Sequence, residues 1–145
     1  MTPHFSLEEF TQSDTAARLG IDNRLPDELR ENALKTLEMM ERIRFHIDAP
    51  ITITSGYRCK ALNGVIGSKP GSDHTMALAC DFRAPKAGTP FQIAASLAPV
   101  FKIIGIGQLI LEFGTWVHVS TRIPEKTINR IITIDKTGTR AGIWQ

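Results

Sequence analysis

The stretch Gln108–Ser120, QLILEFGTWVHVS, predicts a β-hairpin and sets the character of the fold. Its two halves, Gln108–Glu112 and Trp116–Ser120, are rich in branched and aromatic residues that favour strands, and the glycine between them favours a turn. Side chains alternate across a strand, so His118 shares a face with Trp116 while the two valines beside it face the other way. A histidine therefore lies on a strand that is otherwise suited to burial.

Two further strands are predicted upstream, separated by a long loop. Ile51–Thr54 alternates as a half-buried strand does, and Ala79–Arg83 has the length and composition of a short strand. Residues 55–74 between them are rich in Gly, Ser, Asn and Lys, with one helical turn expected at Lys60–Val65. Loops of this length in compact domains are usually functional, so we expect this loop to contribute to a site.

Helices are predicted mainly before these strands. Ser6–Glu9 has the form of a capping box and predicts a short helix to about Ser13. Pro26 suits the first turn of the next helix, in which apolar residues recur at spacings of three and four over about twenty residues, ending before Pro50. These apolar positions are Leu29, Ala33, Leu37, Met40, Ile43 and Ile47. A later helix is expected over Thr89–Leu97, capped by its threonine.

The C-terminal segment predicts a second hairpin. Ile131–Ile134 is expected to pair with Ala141–Trp144, with Lys136–Gly138 in the turn. Helices come first and antiparallel strands last, which indicates the α+β class. We therefore expect a single domain over residues 1–145, with N-terminal helices packed on a small, mainly antiparallel sheet.

Composition and charge exclude several classes of protein. The chain has 145 residues, 42% of them hydrophobic and 22% charged, which is the balance of a globular domain rather than a disordered one. The net charge is +2 and the basic residues are scattered, so no nucleic-acid partner is expected. No stretch approaches the roughly 20 apolar residues of a membrane helix, and the N-terminus lacks the features of a secretory signal. Synthesis in the cytoplasm and no stable membrane insertion are therefore expected.

The two cysteines are too few to build a disulfide scaffold. Cys59 and Cys80 are expected to be buried free thiols, although pairing in an oxidising compartment stays open. The sequence does not set the oligomeric state, and a monomer is the expectation.

Three residues have the types and surroundings of a metal site. His74 closes the polar loop, Asp81 follows on the next strand, and His118 lies on the late hairpin. Two histidines and a carboxylate form a typical three-ligand catalytic zinc set, which leaves a fourth position for water. The alternative is a buried histidine bonded to backbone, with Asp81 capping a turn. His46, near the end of the long helix, and His4, near the terminus, are not expected to bind metal.

Several motifs occur in the order found in one known family. They are Ser55-Gly56-Tyr57-Arg58-Cys59, Leu62-Asn63, Ser72-x-His74, Ala79-x-Asp81 and Trp116-Val117-His118-Val119-Ser120. Together with Phe5–Phe10 and the long helix, they resemble the zinc D-Ala-D-Ala carboxypeptidase family, which includes phage endolysin peptidases.

The resemblance implies a role for each matching residue. It implies that one zinc ion per chain is held by three ligands, His74, Asp81 and His118. It also implies that Arg58 points into the active site and stabilises substrate or developing negative charge, as a permanently charged donor fork can. Ser72 and Trp116 are expected to contact the substrate, which the resemblance implies to be peptidoglycan peptides. Holding the long loop through backbone carbonyls is the alternative role for Arg58.

The general base departs from the family pattern. Many relatives have an acid three residues before the last histidine, where this chain has Thr115, and others have a histidine where it has Trp116. If the hairpin loop has three residues, Glu112 lies opposite Trp116 and diagonal to His118, on the same face. Glu112 is therefore the expected base, and a solvated carboxylate at the hairpin end is the alternative. Two acids in less favourable positions are Asp14 and Asp73.

A second departure concerns backbone conformation. Family members usually have Gly three residues after the first ligand, and this chain has Ala77. If the backbone there needs a positive φ, alanine is strained.

The expected function is zinc-dependent hydrolysis of peptide bonds in bacterial peptidoglycan, by a phage endolysin or lysis-associated enzyme acting in the periplasm. Two alternatives stay open. One is a zinc-bearing wall-binding or phage structural module without activity, and the other is a cytoplasmic D,D-dipeptidase. The sequence does not choose among the D-Ala-D-Ala terminus, the D-Ala-diaminopimelate crosslink and the L-Ala-D-Glu stem bond.

Overall fold

A six-stranded sheet forms the centre of the computed structural model, which describes residues 1–145. The strands are β1 (Thr52–Ser55), β2 (Ala79–Arg83), β3 (Gln108–Glu112), β4 (Trp116–Ser120), β5 (Ile131–Asp135) and β6 (Gly138–Ala141). Their order is β1-β2-β4-β3-β5-β6. All neighbours are antiparallel except β3 and β5, which run parallel. The predicted α+β class with a mainly antiparallel sheet is confirmed.

Helices precede the sheet and also connect its strands. They are α1 (Leu7–Thr11), α2 (Asp14–Leu19), α3 (Arg30–Ile47), α4 (Lys60–Ile66), α5 (Pro90–Leu97) and α6 (Phe101–Ile104). The predicted amphipathic helix is α3, entered through a 3-10 turn at Asp27–Leu29 and ended by Asp48 in the left-handed conformation. Its central apolar stripe is fully buried, as periodicity predicted. None of the helices is both long and apolar enough to span a bilayer.

Side-chain caps set several helix boundaries. The Ser6 hydroxyl accepts from the Glu9 N–H at 3.1 Å, as the capping box predicted. Helix α1 ends at Thr11 rather than Ser13, because Ser13 caps a helix that was not predicted, α2, by accepting from the Ala16 N–H at 3.1 Å. Thr89 forms a reciprocal capping box with Gln92, and α5 then ends at Leu97 as expected.

The predicted register of the C-terminal hairpin was wrong. Its second strand is Gly138–Ala141 rather than Ala141–Trp144, because Asp135 pairs with Gly138 across a two-residue turn. The Asp135 carboxylate accepts from the Thr137 N–H at 2.8 Å and closes that turn. Trp144 lies beyond the strand, where its backbone N–H donates to the Thr133 hydroxyl at 3.0 Å.

The two faces of the sheet have different roles. On β4, Val117 and Val119 belong to the hydrophobic core with α3 and α5, while His118 faces the other side. The same alternation on β2 places Phe82 in the core and Asp81 on the opposite face. The sheet therefore presents its chemically active side chains away from the main core.

Both cysteines are free thiols. Cys80 is fully buried in the core, and burial raises the pKa of its thiol well above the ordinary value. Cys59 is half-buried and caps α4, with its sulfur accepting from the Leu62 N–H at 3.4 Å. No structural cross-link is present in this fold.

Candidate active site

Strand pairing brings two of the candidate ligands face to face. Asp81 on β2 lies directly opposite His118 on β4, and His118 Nδ1 is 2.8 Å from Asp81 Oδ1. His74 comes from a 3-10 turn, Asp73–Met76, that ends the long loop, and its Nε2 is 3.3 Å from the same carboxylate oxygen. One ligand atom from each residue lies within 4.8 Å of the other two, and all three residues are buried. This group has the donor types of a zinc site.

The orientation of His74 is fixed by the backbone of the long loop. Its Nδ1 is 2.7 Å from the Gly56 carbonyl oxygen, which can only accept, so Nδ1 carries the proton and Nε2 keeps a free lone pair toward the site. A side chain at Gly56 would collide with the Phe10 carbonyl, where the Tyr57 N–H donates at 2.9 Å. Close packing against α1 thus explains why residue 56 is a glycine. The carbonyl of Gly56 in turn sets the tautomer of His74. The hydrogen bond to the backbone uses only Nδ1 of His74, so Nε2 stays available as a metal ligand.

Burial and mutual charge set the protonation states of the group. Burial lowers the pKa of His74, which favours the neutral imidazole. Burial also opposes ionisation of Asp81, but the two histidines outweigh it and hold the pKa of Asp81 far below its usual range. The pKa of His118 is raised because its hydrogen bond to Asp81 and the charge of Asp81 outweigh burial. An ionised carboxylate between imidazoles attracts a cation, and these donors fit a divalent metal.

Ala77 adopts the left-handed conformation that its family position suggested. Its φ is +60°, and the residue is fully buried at the end of the 3-10 turn that carries His74. The Thr36 hydroxyl on α3 donates to the Ala77 carbonyl at 2.8 Å and holds this conformation. Left-handed backbone costs a non-glycine residue roughly 1–2 kcal/mol, so the fold accepts strain to place His74.

The structure places Glu112 beside the ligand group. Glu112 pairs with Trp116 as expected, and its Oε1 is 3.8 Å from His118 Nδ1. Its side chain is only 21% exposed, so the alternative of a solvated carboxylate is not what the structure shows. Burial, then the charge of Asp81, raises the pKa of Glu112. Its role as general base remains a prediction.

Arg58 enters the same cavity with unused hydrogen-bonding capacity. Its guanidinium reaches only two hydroxyls, Ser55 Oγ at 3.4 Å and Ser72 Oγ at 3.5 Å, and its Nε is buried without a partner. It donates to no backbone carbonyl; the long loop is instead held by the Arg58 backbone N–H, which donates to the His74 carbonyl at 3.1 Å. The side chain is therefore free to bind an incoming acceptor.

The cavity over the ligand group has a volume of about 360 Å³. Its lining consists of Arg58, Ile66, Gly67, Ser68, Ser72, His74, Asp81, Glu112, Phe113, Trp116 and His118. Trp116 Nε1 is buried there without a hydrogen-bond partner. Ser72 and Trp116, which are expected to contact substrate, both line this cavity. A groove of about 540 Å³ near Arg83 is lined by no histidine or carboxylate.

The other candidate residues are placed elsewhere. Asp73 accepts from Ser120 Oγ at 2.8 Å and from Arg122 Nε at 2.6 Å, which gives it a structural role. Asp14 lines an adjoining cavity that shares Arg58, Asp81 and Trp116 with the first. His46 is exposed, with its Nε2 3.2 Å from a backbone carbonyl, and His4 pairs with Glu41. Sequence reasoning did not identify Ile66 and Phe113 in the cavity lining, because neither belongs to a chemical motif.

Comparison with known proteins agrees with this geometry. A family model described as Peptidase M15 matches residues 3–120, a span that contains the three candidate ligands, Arg58 and Glu112. The match ends with β4, before β5 and β6. No curated protein matches the chain.

Proposed function

The chain belongs to the peptidase M15 family, and from this premise we propose that it is a zinc-dependent peptidase that hydrolyses peptide bonds in bacterial peptidoglycan. The observation that carries the proposal is the buried group of His74, Asp81 and His118, with one donor atom from each within 4.8 Å of the others. A carboxylate and a guanidinium line the same cavity. These are the parts that metal-assisted amide hydrolysis needs.

The three ligand atoms would be His74 Nε2, Asp81 Oδ1 and His118 Nδ1. Three protein ligands leave an open position, which distinguishes catalytic from structural zinc sites. When bound, zinc supplies a Lewis acid that acidifies water and polarises the scissile carbonyl.

Glu112 supplies the proton transfers. In the proposed reaction its carboxylate accepts a proton from the attacking water and then delivers it to the leaving amine. Its Oε1 lies 3.8 Å from Nδ1 of the proposed ligand His118, and this closeness supports the role.

Arg58 stabilises negative charge. Its unpartnered Nε and its two long contacts to serine hydroxyls leave donors for a substrate carboxylate or for the oxyanion that forms during attack. Fixed donors directed at the charge that develops during a reaction are a major source of catalytic stabilisation. Ser72, which contacts both Arg58 and the His74 turn, helps to position this donor fork.

The cell-wall substrate rests on the motifs shared with enzymes that act on D-amino-acid peptides. Within that group we propose a phage endolysin or lysis-associated enzyme, a choice supported by analogy rather than by geometry. The cavity suits a short peptide with polar backbone groups, because most of its lining is polar.

Metal dependence is the test of this function. Protein purified without chelator is expected to contain one zinc per chain, to hydrolyse peptide bonds in purified peptidoglycan, and to lose this activity on chelation. Stoichiometric zinc should restore it. Elemental analysis and chromatography of the digested peptidoglycan give both readouts, and activity that survives complete metal removal would contradict the proposal.

Arg58→Lys is expected to lower turnover by about tenfold or more while zinc stays bound, because a donor to the developing negative charge is lost. A lysine ammonium is a point charge and cannot reproduce the planar donor fork. The measurement is kcat for peptidoglycan hydrolysis beside zinc content. Arg24→Lys is the matched control, because Arg24 is exposed and pairs only with Asp22. Unchanged turnover in Arg58→Lys would assign the arginine to loop structure.

A further inference from the structure

The turn that follows β3 has an unusual residue at its tip. Phe113 and Gly114 have φ values of +54° and +62°, and the Thr115 N–H donates to the Glu112 carbonyl at 2.9 Å. Positive φ at both central positions is the type I′ pattern, which favours Asn or Gly at the first of them. A phenylalanine there is strained, so turn chemistry does not explain it.

Burial does not explain this phenylalanine either. Phe113 is 53% exposed, and it lies outside the hydrophobic core. A strained and half-exposed aromatic residue stabilises the fold less than asparagine would. Strain of this kind persists where the surroundings over-determine the conformation, and it often marks a functional site.

The surroundings of the turn fix its conformation on several sides. The Phe113 N–H donates to the Ile134 carbonyl on β5 at 2.8 Å. The Thr115 hydroxyl donates to the Phe113 carbonyl at 3.0 Å, and Arg83 Nε donates to the Thr115 carbonyl at 2.7 Å. The phenyl ring is therefore presented from a rigid support, part of which lies beyond the segment matched by the family model.

The ring contributes to the cavity over the ligand group. Phe113 lines this cavity, and its centroid is 6.0 Å from that of Trp116, at a tilt of 44°. Ile66, at the end of α4, is the remaining apolar side chain of the lining and is 46% exposed. The cavity lining thus combines three apolar side chains with polar and charged ones, a composition that suits an amide flanked by a small apolar side chain.

We propose that Phe113 is a substrate-binding and specificity-determining residue, which with Ile66 contacts the aliphatic side chain of the substrate residue next to the scissile amide. This inference rests on the proposed peptidase function. In this proposal Phe113 increases the affinity for substrate but lowers the stability of the folded protein. The natural residue should therefore be worse for folding and better for binding than asparagine.

The test compares stability and binding in Phe113→Asn, Phe113→Tyr and Phe45→Gln. Phe45 is 88% exposed on α3, and its substitution controls for loss of a surface aromatic ring. Thermal unfolding gives the midpoint for each variant. Calorimetry gives Kd for crosslinked muropeptides, with each variant made in the zinc-loaded Glu112→Gln protein so that binding is read without cleavage. Kinetics with Glu112 intact give kcat and KM.

Phe113→Asn is expected to raise the midpoint by about 2–4 °C and to raise both Kd and KM about tenfold, the scale of a lost apolar contact in a binding pocket. The kcat of Phe113→Asn should stay within about threefold of the wild-type value, because the ring contributes equally to binding of the substrate and of the transition state. Phe113→Tyr should keep Kd within about twofold, and Phe45→Gln should leave Kd and KM unchanged.

Two results for the Phe113→Asn variant would overturn the inference. An unchanged Kd in Phe113→Asn would show that the ring does not contact substrate, and a fall in kcat with KM unchanged would show that it only positions Glu112. Failure of the proposed function is separate: binding that depends on Phe113 without any hydrolysis by the wild-type protein would leave the inference standing. No muropeptide binding by the wild-type protein would overturn both.

Discussion

Replacing His118 with alanine is expected to remove zinc and hydrolysis together. His118 Nδ1 lies 2.8 Å from Asp81 Oδ1, so the substitution takes away one of three donors and leaves His74 and Asp81 alone. Because even changes to residues behind the ligands typically cost 10–100-fold in metal affinity, loss of a ligand should weaken zinc binding by more than about 100-fold. Elemental analysis after dialysis and the peptidoglycan assay measure the two effects.

His46→Ala is the matched control for this prediction. His46 is exposed on α3, and its ring has one hydrogen-bond partner, the Ser96 carbonyl at 3.2 Å. Zinc content and hydrolysis should both stay at wild-type values. Stoichiometric zinc in His118→Ala, or zinc loss in His46→Ala, would show that the ligand set is wrong.

Glu112→Gln is expected to lower hydrolysis by roughly 100-fold or more while zinc stays bound, since glutamine keeps the shape but cannot accept the proton. The Glu112 carboxylate is not among the three ligand atoms, so the metal content should not change. Single-turnover kinetics and elemental analysis on one preparation measure both quantities. Glu125→Gln, which changes an exposed glutamate outside the cavity lining, should leave both unchanged.

The possible outcomes of Glu112→Gln separate three roles. Loss of zinc along with activity would make Glu112 a ligand or a support for one. Full activity would transfer the role of base to a carboxylate of the substrate or to Asp14 in the adjoining cavity. Asp73 is not available for that role, because Ser120 and Arg122 already occupy both of its oxygens.

The elements with strong local signals were predictable from sequence. The β3–β4 hairpin follows from alternation around one glycine, and α3 from apolar spacing over five turns, so neither depends on distant contacts. The register of β5 with β6 and its parallel pairing with β3 were not predicted, because they depend on a two-residue turn and on a non-local contact. Helix α2 was missed for a related reason: it is six residues long and shows no periodicity.

The candidate site was also predictable only in part. Strand parity placed Glu112 on the His118 face, and the order of motifs brought His74 and Asp81 to it. Parity could not show that the Gly56 carbonyl would set the His74 tautomer, since that bond depends on how α1 packs against the loop. Phe113 was not identified because its significance lies in a positive φ, which residue type alone does not reveal.

Mass spectrometry of the fragments released from purified peptidoglycan tests the central claim most directly. Zinc-loaded protein is expected to cut a single type of stem or crosslink bond, which gives one product with a new carboxyl terminus and one with a new amino terminus. The masses of the two products should sum to that of the parent plus one water. The metal-free and Glu112→Gln proteins should release almost none. The identity of the new terminus would also show which bond is cut. Intact stem peptides and crosslinks after exhaustive digestion by zinc-loaded protein would contradict the account.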